Sequence, residues 1–367
     1  MSNGPVAISQ PKRIVSVDQL RGYAIFGMLL VNASGLFFEP IKATLEGTGI
    51  QAFFDTCLYQ LTHHRSNYSY ADTIAPLFVF VVGMGMRLSW LRRSEIDGIW
   101  QTRKAMLKRY TVMVLIAFAI YAGWLWDALM DIGLAGILAI MLIDKKPRVR
   151  VIAAFAFVLA YQLLFMFSSY GTWMVEGKFS LENPDYVPFL VQLVPLQDQI
   201  FGARLNGGPL GPLSWVMMLL LGSYAYDVMS ERNEKKFMLV CAGWGLGLCA
   251  MGYVLHIEWP GVKEAWPFSA RNMTAPFPLW SSGFCFLQLL VFYIICDKLN
   301  VRIPTFTSIG MNPLVFYIAQ CLFLDVAERF APEQLSMLAG LTGFAILWAI
   351  FSLVAYYMHK KKIFIKL

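Results

Sequence analysis

DTIAPLFVFVVGMGMRLSWL (72–91) is apolar through its interior, with Asp72 at its start, Arg87 near its end, and Arg92 and Arg93 directly after it. A helix of about twenty residues rises roughly 30 Å, the thickness of the hydrocarbon core of a bilayer. Reading this run as a membrane-crossing helix decides the fold, because runs of the same kind recur along the whole chain. They fall at 19–38, 72–91, 108–125, 127–143, 149–168, 212–229, 237–256, 277–296, 306–324 and 338–358. Leu, Ile, Phe, Val and Met fill these runs without the period-two alternation that barrel strands require. The expectation is an all-α polytopic membrane bundle of about ten transmembrane helices, forming one domain over 1–367.

Composition supports that reading. Apolar residues make up 58 % of the 367, mean hydropathy is +0.57, and only 14 % are charged. A soluble domain carries about 25 % charged residues. The first twenty residues are polar, and the first apolar run opens on Asp18 and Arg21 with no small-residue cleavage site at its end, so no removable signal peptide is expected. Six cysteines occur without C-x-x-C or Cys/His metal spacing, which points to neither a disulfide framework nor a metal site.

Charge placement argues against nucleic acid as the reason for the net charge of +7, because the positives sit in short clusters between apolar runs. Alternate connections hold 21 basic residues: Lys12 and Arg13; 92–109; 145–150; 232–236; Lys298 and Arg302; and 360–366. The opposite connections hold seven: Lys42, Arg65, Lys178, Arg204, Lys263, Arg271 and Arg329. Basic connections stay in the cytoplasm during insertion, so both termini are expected inside. The opposite connections, 39–71, 169–211 and 257–276, are long and rich in Trp, Tyr, Phe, Pro and Gly. Such segments are expected to fold back over the bundle and roof a cavity.

Ionisable groups near membrane depth mark functional candidates. His63 and His64, two of four histidines, precede Asn67 and Asp72 on the outer side. An imidazole can take a proton from an incoming hydroxyl or amine, and a carboxylate nearby can orient it. The alternative is a solvated loop with Asp72 capping the second span. Asp18 and Arg21 stand at i, i+3, as an interfacial clamp or with Arg21 facing a phosphate. Asn32 either bonds a neighbouring helix or donates to a substrate carbonyl. Asp127 and Asp131 are expected as cap residues facing the outer interface, the alternative being polar lining of the cavity, and Asn312, before Pro313, either caps a helix or points into a cavity.

Several segments together resemble the heparan-α-glucosaminide N-acetyltransferase family of transmembrane acyltransferases. SVDQLRGYAIFGMLLVN (16–32) resembles its first helix and ADTIAPLFVFVVGMGMRLS (71–89) its second. GPLGPLSWVMMLLLG (208–222), GMNPLVFYIAQCLF (310–323) and KKKIFIK (360–366) are similar to later family segments, in the same order. The resemblance implies transfer of an acetyl group from cytosolic acetyl-CoA to a sugar amine or hydroxyl across the membrane. It carries the family's functional histidine to His63, ahead of His64, through the spacing His63-x-x-x-Asn67, and its catalytic asparagine to Asn32. Asp72 and Asn312 match further motif positions, and Arg21 is a candidate for the CoA phosphates. The outer loop carries an insertion, and the arginines of the family's Arg-Ile-Pro-Gly stretch are missing from 131–141. A multi-pass enzyme of the bacterial inner membrane is implied, as a homodimer among membrane lipids. The competing expectation is a transporter or flippase, which would show inverted repeats and paired intramembrane charges. The chain shows no repeat between its halves and few charges at midspan.

Overall fold

In the computed structural model, residues 14–64, 67–120, 125–176, 205–257 and 266–365 are described. Among these residues the regular structure is all helix, with no strand. The order is α1 (Val15–Asn32), α2 (Ser34–Phe37), α3 (Glu39–Lys42), α4 (Gln51–Gln60), α5 (Ala71–Ile96), α6 (Ile99–Ile120), α7 (Ala128–Ile140) and α8 (Pro147–Phe167). It continues with α9 (Ser169–Glu176), α10 (Pro212–Ser230), α11 (Glu234–His256), α12 (Pro276–Phe292), α13 (Pro304–Gly310), α14 (Pro313–Ala327) and α15 (Met337–Lys360). The basic residues Lys12, Arg13, Arg65, Lys178, Arg204, Lys263 and Lys366 lie outside the described residues, as do 177–204 and 258–265 of the expected outer connections.

Each of the ten apolar stretches is mostly helical where it is described, with breaks at Ala33, 141–143 and 311–312. By length and apolarity, α5, α8, α11, α12 with its continuation to Lys298, and α15 reach membrane-crossing dimensions. The count of five rises to seven if two bent pairs, Val15–Asn32 with Ser34–Leu45 and Pro304–Gly310 with Pro313–Phe330, are each one span. Three helices separate this count from ten, each for a physical reason. With 13 residues, α7 rises only about 20 Å. Basic side chains fill the first turns of α6, and α10 carries Asp227 yet is buried along nearly its whole length, so it needs no apolar outer face. By contrast, α8, α11 and α15 expose their apolar residues: Leu338 is 78 % and Leu239 76 % exposed, as a lipid-facing surface requires.

Close helix crossings hold the bundle together. In α5, Gly83 rests on the backbone of Leu219, while Gly222 of α10 rests on the backbone of Phe80. Any side chain at either glycine would meet a carbonyl, so α5 and α10 approach as only small residues permit. At a second crossing, Gly22 of α1 meets the Phe306 backbone and Gly310 meets that of Asp18.

Several expectations need correction. Connection 39–71, expected as a loop, folds into α3 and α4, with Cys57 exposed on α4. Asp127 caps α7 through its first N–H at 2.7 Å, but Asp131 is fully buried and does not face the interface. Charges within the bundle are also more prominent than expected. Arg87 Nε donates to Asp227 Oδ1 at 2.7 Å, and Arg150 donates to Asp227 Oδ2 and to Ser223. Arg87 also bonds the Ile143 carbonyl at 2.7 Å and Arg150 that of Lys145 at 3.2 Å. Arg150 counts as a loop charge in the sequence, yet it enters α8 and is 0 % exposed.

Candidate functional site

Asp72 occupies the first turn of α5. Its Oδ2 accepts the Ser69 N–H at 3.1 Å and the Ser69 hydroxyl at 2.9 Å, reaching backward as an acidic residue does in a capping box. Its Oδ1 meets His63 Nδ1 at 2.7 Å. A carboxylate that already accepts two hydrogen bonds fixes the tautomer: Nδ1 donates, and Nε2 carries the lone pair. Nε2 has no hydrogen-bond partner among the described residues. The ring is 63 % exposed while the carboxylate is 1 % exposed, so a buried acid aims an exposed base. Pro76, inside α5, has no N–H to offer the Asp72 carbonyl.

The neighbouring histidine turns elsewhere. His64 Nε2 donates to the Tyr59 carbonyl at 2.8 Å, and its ring stacks on Tyr59 with centroids 3.8 Å apart. It thus closes the end of α4. Asn32 ends α1, exposed, its side chain making no hydrogen bond among the described residues. The two helices run antiparallel, since Arg21 lies beside Gly85 while Gly27 lies beside Tyr70 and Ile74. Asn32 is therefore at the same end of the bundle as His63 and Asp72.

Aromatic rings anchor the segment between His63 and Asp72. Tyr68 makes edge contacts with Phe268 at 5.7 Å and Trp280 at 5.8 Å, and a tilted one with Phe277 at 5.9 Å. Burial in this cluster pushes the Tyr68 phenol well above its ordinary value. These aromatics pack on one another and hold Tyr68 in place.

At the opposite end of α5 lies a cavity of about 420 Å³. Arg21, Arg92, Arg93 and Arg109 line it, with Asn312 and the backbone bend after α13 on the far wall. Arg21 reaches Asp18 at 3.4 Å and also lines the cavity. Along α5 the lining residues include Phe78, Val82, Gly85, Ser89 and Arg92, with Met86, Leu88 and Arg93 beside them. This spacing of four, three, four and three makes one stripe of a helix. Phe78 follows Asp72 by six residues, a rise of about 9 Å. The cavity thus runs from the arginines to within about two turns of the level of Asp72. Asn312 makes no cap hydrogen bond to α14; its amide bonds the main chain of Ile363 and Ile365 at 2.9 Å each.

Sequence reasoning missed Arg92, Arg93 and Arg109 as cavity residues, because they counted only toward charge asymmetry. The four-three stripe from Phe78 to Arg92 was the available signal. No sequence signal pairs Arg87 and Arg150 with Asp227.

Residues 13–192 match a family model described as heparan-alpha-glucosaminide N-acetyltransferase, catalytic. Over 175 residues the chain is 28 % identical to the uncharacterized protein YxaH of Bacillus subtilis (strain 168). That alignment covers 43 % of this chain and 40 % of the relative, so the chain spans less than half the length of the relative it matches.

Proposed function

We propose, from the premise that residues 13–192 belong to the heparan-alpha-glucosaminide N-acetyltransferase catalytic family, that this membrane protein transfers an acyl group from acyl-CoA to a sugar amine or hydroxyl. The family is one of membrane acetyltransferases. The observation that carries the reading is the double role of α5, which positions the His63–Asp72 pair at its first turn and lines the arginine cavity along its length.

Acyl-CoA enters from the arginine end, where Arg92, Arg93, Arg109 and Arg21 meet its phosphates. The acyl-bearing arm runs along the α5 stripe past Gly85 and Phe78 toward the outer end. There His63 Nε2 takes the proton of the acceptor as its oxygen or nitrogen bonds to the acyl carbon. Asp72 keeps the Nδ1 hydrogen and balances the imidazolium charge. The Asn32 amide donates to the developing oxyanion. The carbon–sulfur bond breaks, and the thiolate recovers the proton from Nε2 as free CoA. Whether the acyl group passes directly or through an acetyl-histidine, the same nitrogen serves.

In this reading 1–367 is a single domain, because Gly310–Val315 complete a cavity that residues 13–192 begin. The remaining parts of the proposal follow the family: a bacterial inner-membrane enzyme with both termini in the cytoplasm, acting as a homodimer.

A transporter or flippase would draw on the two bent helix pairs and the buried Arg87–Asp227–Arg150 cluster. In that cluster, however, the arginines bond Asp227, Ser223 and two carbonyls, as a structural tie does. A thermal-shift titration of purified protein with acetyl-CoA separates the readings. Donor binding raises the melting temperature, and no shift at saturation rejects the transferase.

A further inference from the structure

Where α15 ends, the chain reverses through three hydrogen bonds. The N–H groups of Lys361, Lys362 and Ile363 donate to the carbonyls of Tyr357, His359 and Met358 at 2.9, 3.0 and 2.8 Å. Lys362 takes the left-handed conformation at φ 54° that this helix ending requires. One turn earlier, His359 Nδ1 lies 3.0 Å from the Ser308 hydroxyl on α13.

The segment that follows is gripped by a single side chain. Asn312 Nδ2 donates to the Ile363 carbonyl and Oδ1 accepts the Ile365 N–H, each at 2.9 Å. Bonding alternate residues of an extended segment is how one β-strand holds its neighbour. Asn312 is 2 % exposed, at the bend between α13 and α14. Both Asn312 and Ile365 line the arginine cavity.

We propose that Ile363–Ile365 forms a wall of the donor cavity and that Asn312 is a positioning residue that shapes donor binding through this segment. The inference rests on the acyl-CoA reading of that cavity. It differs from direct recognition, because the Asn312 amide is engaged by main chain on both its oxygen and its nitrogen. The bonds go to backbone atoms, so replacing the Ile365 side chain changes the wall and leaves the grip intact.

The test uses the full-length protein and four variants: Asn312→Ala, a chain stopped after Lys362, the two combined, and Ile365→Trp. Acetyl-CoA affinity is read by thermal-shift titration, with KM for the donor and kcat. Asn312→Ala and the shortened chain each weaken the donor about tenfold with kcat little changed, and the combined variant is no weaker than either alone. Ile365→Trp weakens the donor while the ligand-free melting temperature stays as in the parent protein. Should Asn312→Ala fail to fold, the shortened chain and Ile365→Trp decide the matter. Additive losses, or donor loss in Asn312→Ala with normal affinity in the shortened chain, overturn the inference by placing Asn312 on the donor itself. Parent-like affinity in both the shortened chain and Ile365→Trp overturns the segment's role. If the parent protein binds no acetyl-CoA, the acyl-CoA reading falls first, a result distinct from all of these.

Discussion

His63 Nδ1 and Asp72 Oδ1 stand 2.7 Å apart across a sharp boundary of exposure, the ring open and the carboxylate sealed beneath it. Because Ser69 occupies the other Asp72 oxygen, the carboxylate cannot swing away to another partner without losing two hydrogen bonds. The outward nitrogen of His63 is thereby defined by the pairing itself.

That relationship predicts a graded set of losses. His63→Ala lowers acyl transfer by about 10²- to 10⁴-fold, the usual worth of a positioned acid–base group. Asp72→Asn, which keeps the shape but not the charge, gives a loss of similar order. His64→Ala stays within a few-fold of the parent, since its ring is engaged at the end of α4. Initial rates at matched protein levels check all three, and full activity in His63→Ala rejects His63 as base.

The arginine cavity predicts a split between binding and turnover. On the acyl-CoA reading, Arg92→Ala and Arg93→Ala each raise the donor KM by about tenfold while kcat holds, because charge-assisted phosphate contacts would act before the chemistry. A short acetyl thioester without phosphates should be used poorly by the parent and equally poorly by both variants. Equal KM effects on the two donors would show that the arginines do not meet phosphate.

The buried ion cluster predicts instability without a donor effect. Asp227→Ala leaves Arg150 and Arg87 without the carboxylate they share. Removing one partner from such a cluster costs about 3–5 kcal/mol. Thermal unfolding in detergent should show a marked fall, with donor KM unchanged in whatever fraction stays folded. An unchanged melting temperature would reject a structural role for the cluster.

Tyr68 predicts a pH effect with a defined sign. Burial raises its phenol above the ordinary value, so the folded protein holds a proton that the unfolded chain releases. Its stabilising contribution is therefore complete below about pH 10, the unfolded value, and falls away as pH rises beyond it. Tyr68→Phe keeps the ring among Phe268, Phe277 and Trp280 and should flatten the loss of melting temperature between about pH 9 and 11. Parallel curves for the two proteins would contradict the burial argument.

Much of the molecule is legible in the sequence. Hydropathy and helical spacing are local properties, so each apolar stretch could be read as a helix from its own residues. His63 and Asp72 are nine residues apart, which let the pair be anticipated from one short segment. The resemblance to a known family rested on segments of the same kind, such as 71–89, where order along the chain suffices.

The tertiary structure decided what depends on distant helix faces. Asp227 meets Arg87 from 140 residues away, and Asn312 grips a main chain 51 and 53 residues further on. No local pattern encodes which faces will meet. The glycine crossings of α5 with α10 and of α1 with α13 set that choice through close backbone approach, and with it they set the cavity. Sequence alone determined the apolar helices and let the histidine–aspartate pair be anticipated. Packing between remote helices turned scattered arginines into one wall, because only there do side chains far apart along the chain share a volume.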